Sequence, residues 1–303
     1  MPADPPGPSD PARDRRLIVT ADDFGVDEAV NEAVEEAFTT GILTCASLMM
    51  GAGATDDAVS RSRRLKGLGV GLHVTIADGA PVSSPRHVPG LLGPDGQFRD
   101  DLFGAGLRWF LNPEIRSQLA FEINTQFKAF IATGLVLDHV NVHKHLHLHP
   151  TVSSLVINIG RRYGMLAIRV PEEPRKILME AEPGVKIGRS LLTPANALLR
   201  RRAKRARLVS NDNIFGLAWS GAMTEERLLA LIPHLPPGLN ELYAHPASKD
   251  AAAMPHAAPG YQYRAELAAL VSPRVRAALT ANGVTLTRYA SNLPPGEARA
   301  RLA

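Results

Sequence analysis

Short β-branched runs alternate with longer amphipathic stretches along most of this 303-residue chain, and that order points to a parallel sheet covered by helices. RLIVTA (16–21) reads as a buried strand. Asp27 then caps a helix in which Ala29, Val30, Ala33, Val34 and Ala37 recur at helical spacing before Gly41. ILTCASLMM (42–50), a polar helix from Asp56 to Arg64 and GVGLHVT (69–75) repeat the pattern. Further strands fall at VLDHVNVH (136–143), MLAIRV (165–170), NIFGLAW (213–219), LNELYAH (239–245) and VTLTRY (284–289). Between them, helical spacing runs over Glu114 to Ala132, Pro150 to Tyr163, Glu225 to Ile232 and Ala265 to Ala281. About seven such units leave a choice between an open doubly wound sheet and a closed barrel.

Polar residues favour the barrel. ADD follows the first strand, His73 sits in the third, a histidine cluster ends the fourth, Arg169 lies in the fifth and His245 follows a late one. The C-terminal ends of strands are where a parallel barrel gathers its chemistry. No GxGxxG follows the first strand, so a dinucleotide fold lacks its fingerprint. The expectation is a single-domain α/β fold, a closed (β/α) barrel of about seven parallel strands over residues 16–291. Tails are expected at 1–15, rich in proline, and at 292–303. Residues 77–101, rich in Pro and Gly, read as a long loop over one end, and loops of that length are usually functional.

Several classes are disfavoured by composition. A net charge of +4, from 34 basic and 30 acidic residues, is too weak a bias to imply a nucleic-acid partner. Cys45 is the only cysteine, so neither an internal disulfide nor a thiolate zinc site is available. No apolar run approaches the roughly 18 residues of a membrane span, and prolines occupy the place where a signal peptide needs an apolar core. A cytoplasmic location is expected.

Five of the ten histidines, His139, His143, His145, His147 and His149, fall within DHVNVHKHLHLHP (138–150). Their two-residue spacing puts them on one face of an extended segment, yet a mononuclear site takes only about three protein ligands. Most of the five must do something else, and a run of hydrogen-bonded or solvated histidines is the plain alternative. Asp22 and Asp23 are adjacent at a strand end and point in different directions, so one can bind a metal while the other takes a proton from water. A simple turn and helix start is their alternative. His73 interrupts an apolar strand. One carboxylate with histidines from two other strands makes a site suited to Zn²⁺, Fe²⁺, Mn²⁺ or Co²⁺. His245, before Pro246, is either an acid at the barrel mouth or part of a fixed turn.

LIVTADDFG, GLHVT, NVHKHLHLHP and ELYAHP, in that order, resemble the motifs of the YdjC-like (ChbG-like) carbohydrate deacetylase family over most of the chain. Within it they resemble the hopanoid biosynthesis-associated subgroup called HpnK. The resemblance implies a metal-dependent N-deacetylase on a distorted TIM-like (β/α) barrel, in which Asp23, His73 and His143 hold one divalent ion, Mg²⁺ or Zn²⁺. Asp22 would be the base and His245 the acid, with His145, His147 and Arg169 on the substrate. Many relatives read DSHHH where this chain has Asn141 to His145; HKHLHLHP is the subgroup's form and implies an N-acetylglucosaminyl hopanoid as substrate. Two competing readings are an Fe(II)-dependent oxygenase with the same ligand types and a non-catalytic metal or sugar-lipid binding protein. The parallel βα order argues against the first, and the second needs neither Asp22 nor His245. LLRRRAKRAR (198–207) carries six positive charges and reads either as a solvated helix face or as a peripheral contact with the anionic inner membrane surface.

Overall fold

The computed structural model describes residues 14–185, 193–254 and 257–294. Apart from their inner ends, the expected tails at 1–15 and 292–303 lie outside the described residues. The chain runs β1 (Arg15–Phe24), α1 (Glu28–Thr39), β2 (Cys45–Leu48), α2 (Thr55–Arg64), β3 (Gly69–Val74), α3 (Leu102–Leu111), α4 (Pro113–Ala132), β4 (Val140–Val142) and α5 (Pro150–Arg162). It continues through α6 (Arg175–Ala181), α7 (Thr193–Arg205), β5 (Asn213–Phe215), α8 (Glu225–Leu231), β6 (Gly238–Ala244), α9 (Tyr263–Val271), α10 (Pro273–Ala281) and β7 (Val284–Thr287).

Among the described residues the named strands pair in parallel, in the order β4-β3-β2-β1-β6-β5. One flank of β1 is paired with β6 over residues 15–21, and the other is shared: residues 15–18 meet β7, and β2 takes over from Thr20. The sheet curls. Its edges are linked through 165–172, which bonds to β4 by Val140 N–H to Ala167 O and to the following segment by Ile168 N–H to Val209 O. The expected fifth strand is thus reduced to isolated bridges, and the result is a single-domain, curled parallel sheet matching a distorted TIM-like barrel.

Period-two alternation sorts each strand into an outer face under the helices and an inner face. Leu17, Val19 and Ala21 of β1 join the large core beneath the helices, whereas Ile18, Cys45, Ala167, Leu239 and Tyr289 make a small apolar layer inside the sheet. Above that layer the interior turns polar, and at the strand C-termini it opens into a cavity. Gly69 and Gly71 of β3 belong to this inner row because there is no room for more. A Cβ on Gly71 would lie 2.5 Å from the His139 ring, and one on Gly69 2.8 Å from Cys45 Sγ. Gly71→Ala is expected to destabilise the fold by about 1–3 kcal/mol through overpacking, read as a lower urea midpoint; an unchanged midpoint would mean that His139 can move aside.

One expected helix is split, and two other local features have physical causes. The helix read over 265–281 is two helices, broken where extended Ser272 precedes Pro273 and caps α10 by accepting from Arg274 N–H and Val275 N–H. The 77–101 loop is pinned down: buried Glu122 of α4 accepts from Val82 N–H (2.9 Å) and Ser83 N–H (3.1 Å), and Gln126 bonds both backbone groups of Thr75. In α7, Arg200 is bonded to Glu172 and the carbonyls of Asn211 and Asp212, and Arg202 to Pro150 O and Ser153 Oγ. Only part of the basic run is therefore a free-standing charged face. Among the described residues no helix is long and apolar enough to cross a membrane.

Candidate active site

Strict alternation would put Asp22 inside the sheet and Asp23 outside it. The register between β1 and β2 slips between Ala21 and Phe24, and Asp23 takes a left-handed backbone, φ 60°. This bulge re-aims the second carboxylate, so both aspartates face the same cavity.

His73 is the penultimate residue of β3 and His143 follows β4. Asp23 Oδ1 lies 3.1 Å from His73 Nε2 and 3.2 Å from His143 Nδ1, and the two ring nitrogens are 3.2 Å apart. Edges this short are compatible with three donors about 2.0–2.3 Å from one ion. The donors' protonation supports the same conclusion. Asn141 gives its two amide N–H groups to Asp22 Oδ1 (3.0 Å) and Ser47 Oγ (2.8 Å), which turns its Oδ1 towards His73 Nδ1 at 2.6 Å. His73 therefore carries its proton on Nδ1, and its Nε2 presents a lone pair to Asp23 Oδ1, a buried oxygen with no hydrogen-bond donor. Two acceptors facing each other call for a cation.

The electrostatics agree. Burial works against charge on both Asp23 and His143, but their mutual attraction outweighs it, holding the Asp23 carboxyl well below its usual value and raising His143 to about 9. Without a metal, a proton takes the place of the positive charge. An N–H donated by a ligand histidine to a fixed acceptor is the usual support for such a site. Asn141→Leu is accordingly expected to weaken divalent-metal binding about 10–100-fold, measured by calorimetric titration; unchanged affinity would show that His73 needs no such support.

Asp22 is held differently. Its carboxylate accepts from Arg169 Nη1 (2.5 Å), Arg169 Nη2 (2.9 Å) and Asn141. Burial raises its pKa, yet the Arg169 charge dominates and keeps Asp22 ionised. Three donors leave one lone-pair position, on Oδ2, for a further partner.

The other expected residues separate. His245 lines the cavity beside Asp22 and Asp23, with its ring 5.6 Å from Tyr243 and 4.9 Å from Tyr261; its backbone N–H is held by buried Glu266 of α9. His145 also lines the cavity and meets Tyr243 Oη at 3.2 Å. His147 and Arg169 do not line it: both are fully buried, His147 against the Arg169 carbonyl and Arg169 between Asp22 and Glu241. The expectation that these two touch substrate is corrected by that burial. Burial and the Arg169 charge push His147 down to about 3 and His145 well below the ordinary value, so both are neutral.

The five histidines do not share a face because the strand ends at Val142, and Lys144 and His145 both adopt left-handed backbone. His149 caps α5. His139 lies deeper, with Nδ1–H on Asp138 (3.1 Å) and Nε2 facing Ser47 (3.1 Å). Cys45, Asp138 and His139 form a second cluster of metal-ligand types. There, however, Asp138 accepts from His139 and Ala290 N–H, and burial pushes the Cys45 thiol up, so it stays protonated. Asn141, Ser47, Glu241 and Glu266 were missed at the sequence level; an acidic residue in the apolar run LNELYAH was the available signal for Glu241.

The cavity, about 880 Å³, lies at the C-terminal ends of the strands, where a parallel barrel places its active site. Over 93% of this chain and 100% of the other, the fold superposes with TM-score 0.72 and 20% identity on a crystal structure from Enterococcus faecalis V583, described as a candidate cellobiose-phosphate cleavage protein. Carbohydrate deacetylases from Geobacillus stearothermophilus (29% identity, 91% of this chain and 97% of the relative) and Mus musculus (30%, 89% and 93%) are similar along nearly their whole length. A chitooligosaccharide deacetylase from Salmonella dublin is 32% identical over 53% of this chain and 61% of its own. The family model described as YdjC-like protein matches residues 16–281, and the chain belongs to the YdjC-like family.

Proposed function

We propose that this protein is a metal-dependent carbohydrate deacetylase, a hydrolase that removes the N-acetyl group from an amino sugar. The observation that carries the reading is the convergence of Asp23, His73 and His143 on one point, with the His245 ring and the ionised Asp22 carboxylate in the same cavity. A divalent ion, Mg²⁺ or Zn²⁺, bound there supplies a Lewis acid for the acetyl carbonyl. Asp22, through its open lone pair, takes a proton from the attacking water. His245 delivers a proton to the departing amine as the C–N bond breaks, leaving acetate and the free amino sugar. Tyr243 and His145 are placed to orient the sugar, while Arg169 and His147 act from behind the wall by fixing Asp22 and the strand end.

The finer reading is membership of the hopanoid-linked HpnK subgroup, with an N-acetylglucosaminyl hopanoid as substrate. Val26, Val30, Met49, Met50 and Met254 line the same cavity as the polar centre, which suits an apolar group attached to the sugar. The protein would work in the cytoplasm, with the basic residues of 198–207 in peripheral contact with the inner membrane. Mass spectrometry of acetylated sugars incubated with metal-loaded and chelator-treated protein tests this. Metal-dependent loss of one acetyl group is expected, faster from a sugar with an apolar aglycone than from chitooligosaccharides. Oxygen consumption without acetate release would replace the reading by an oxygenase, and binding without turnover by a carrier.

A further inference from the structure

We propose that α3, together with the outer face of α7, docks this protein on an anionic lipid bilayer, with the apolar stripe of α3 entering the interface. Phe103, Leu107, Phe110 and Leu111 are 86%, 52%, 58% and 64% exposed. Their spacing puts all four on one side of the helix. The opposite side is well anchored: Ala105, Gly106 and Trp109 are buried, and the Trp109 ring stands edge-on to His149 at 5.8 Å. The stripe is thus the outer face of a seated helix.

The neighbouring charge identifies the occupant. α7 engages the same short segment, because Arg202 bonds Pro150 O and Ser153 Oγ, directly after His149. The remaining basic residues of α7, Arg201, Lys204 and Arg205, and Arg207 just beyond it are exposed. An apolar stripe and a basic face therefore flank the start of α5, at the end of the barrel where the His143–Leu148 turn borders the cavity. Apolar insertion and attraction to anionic headgroups add in such an arrangement. A second copy of the chain is the weaker fit. Four side chains present a few hundred Å², whereas a stable dimer needs about 800 Å² per partner.

The α7 half rests on the membrane reading of 198–207 given above; the exposure of the α3 stripe is independent of it, while the choice of a bilayer as occupant uses the α7 charge. The test uses the full chain, phosphatidylcholine vesicles with and without phosphatidylglycerol, and two variants. One is Phe103→Ser/Leu107→Ser/Phe110→Ser/Leu111→Ser, and the other is Arg201→Ser/Lys204→Ser/Arg205→Ser/Arg207→Ser. Thermal unfolding by circular dichroism confirms that each is folded. The wild type is expected to co-sediment with anionic vesicles, the α3 variant to bind at least about ten-fold more weakly at low and high salt, and the α7 variant to lose the salt-sensitive part. Equal binding by the α3 variant overturns the proposal. So does a wild type that ignores all vesicles but forms a dimer abolished in the α3 variant, which would assign the stripe to a second copy. If only the α7 variant binds normally, the reading of 198–207 fails and α3 docking stands. Vesicle binding by a protein that deacetylates no sugar would leave docking intact and remove the deacetylase reading.

Discussion

Asp22→Asn is expected to lower deacetylation by about 10²–10⁴-fold, the usual contribution of a positioned general base, with metal content near wild type. The asparagine oxygen can still accept from Asn141 and Arg169 Nη2 at the Oδ1 position, where 3.0 and 2.9 Å bonds now stand. Its amide nitrogen then faces Arg169 Nη1, donor against donor. A loss of about 1–3 kcal/mol of stability should accompany the loss of activity, so turnover must be measured well below the unfolding midpoint. His245→Ala should match the loss in turnover, since the departing amine would have no acid. Near-wild-type turnover in either variant removes that residue from the mechanism, and metal loss in Asp22→Asn would mean that the two aspartates have exchanged roles.

Much of this site was legible in the sequence because barrel chemistry sits at strand ends and the strands were easy to read. Asp22, His73, His143 and His245 each lie in or directly after a run that reads as a strand, and the barrel brings them together. What was not legible depends on single backbone angles. Nothing in ADDFG announces that Asp23 sits at a bulge with φ 60°, yet that angle alone turns its carboxylate into the cavity. The two left-handed residues Lys144 and His145 likewise scatter five histidines among a candidate ligand, a cavity wall, two buried positions and a helix cap. LFGAGLRWFL hid α3 because two glycines weaken a helical reading. The strand read at 165–170 kept only bridges, so its inner residue Arg169 could be placed on the right strand but not at the right depth.

That depth gives Arg169 its largest expected effect, on stability as much as on chemistry. Its guanidinium bonds Asp22 through Nη1 and Nη2, and Glu241 through Nε and Nη2, with Arg169 and Glu241 shut off from water and Asp22 buried except where Oδ2 meets the cavity. Glu241 in turn accepts from Thr20 and Tyr289. One cation thus compensates two buried carboxylates, and Arg169→Met leaves both uncompensated. Breaking a buried pair in this way costs about 3–5 kcal/mol, read as a lower urea midpoint. Arg169→Lys should fall between wild type and Met, because a single ammonium lacks the planar fork that serves two carboxylates at once. The double variant Arg169→Met/Glu241→Gln separates charge from packing. If uncompensated charge is the cause, removing one of the stranded carboxylates restores part of the stability lost by Arg169→Met, and the two substitutions are strongly non-additive. A single-variant cost below about 1 kcal/mol, typical of a solvated ion pair, would show instead that water reaches this cluster and that Asp22 owes its ionisation to solvent.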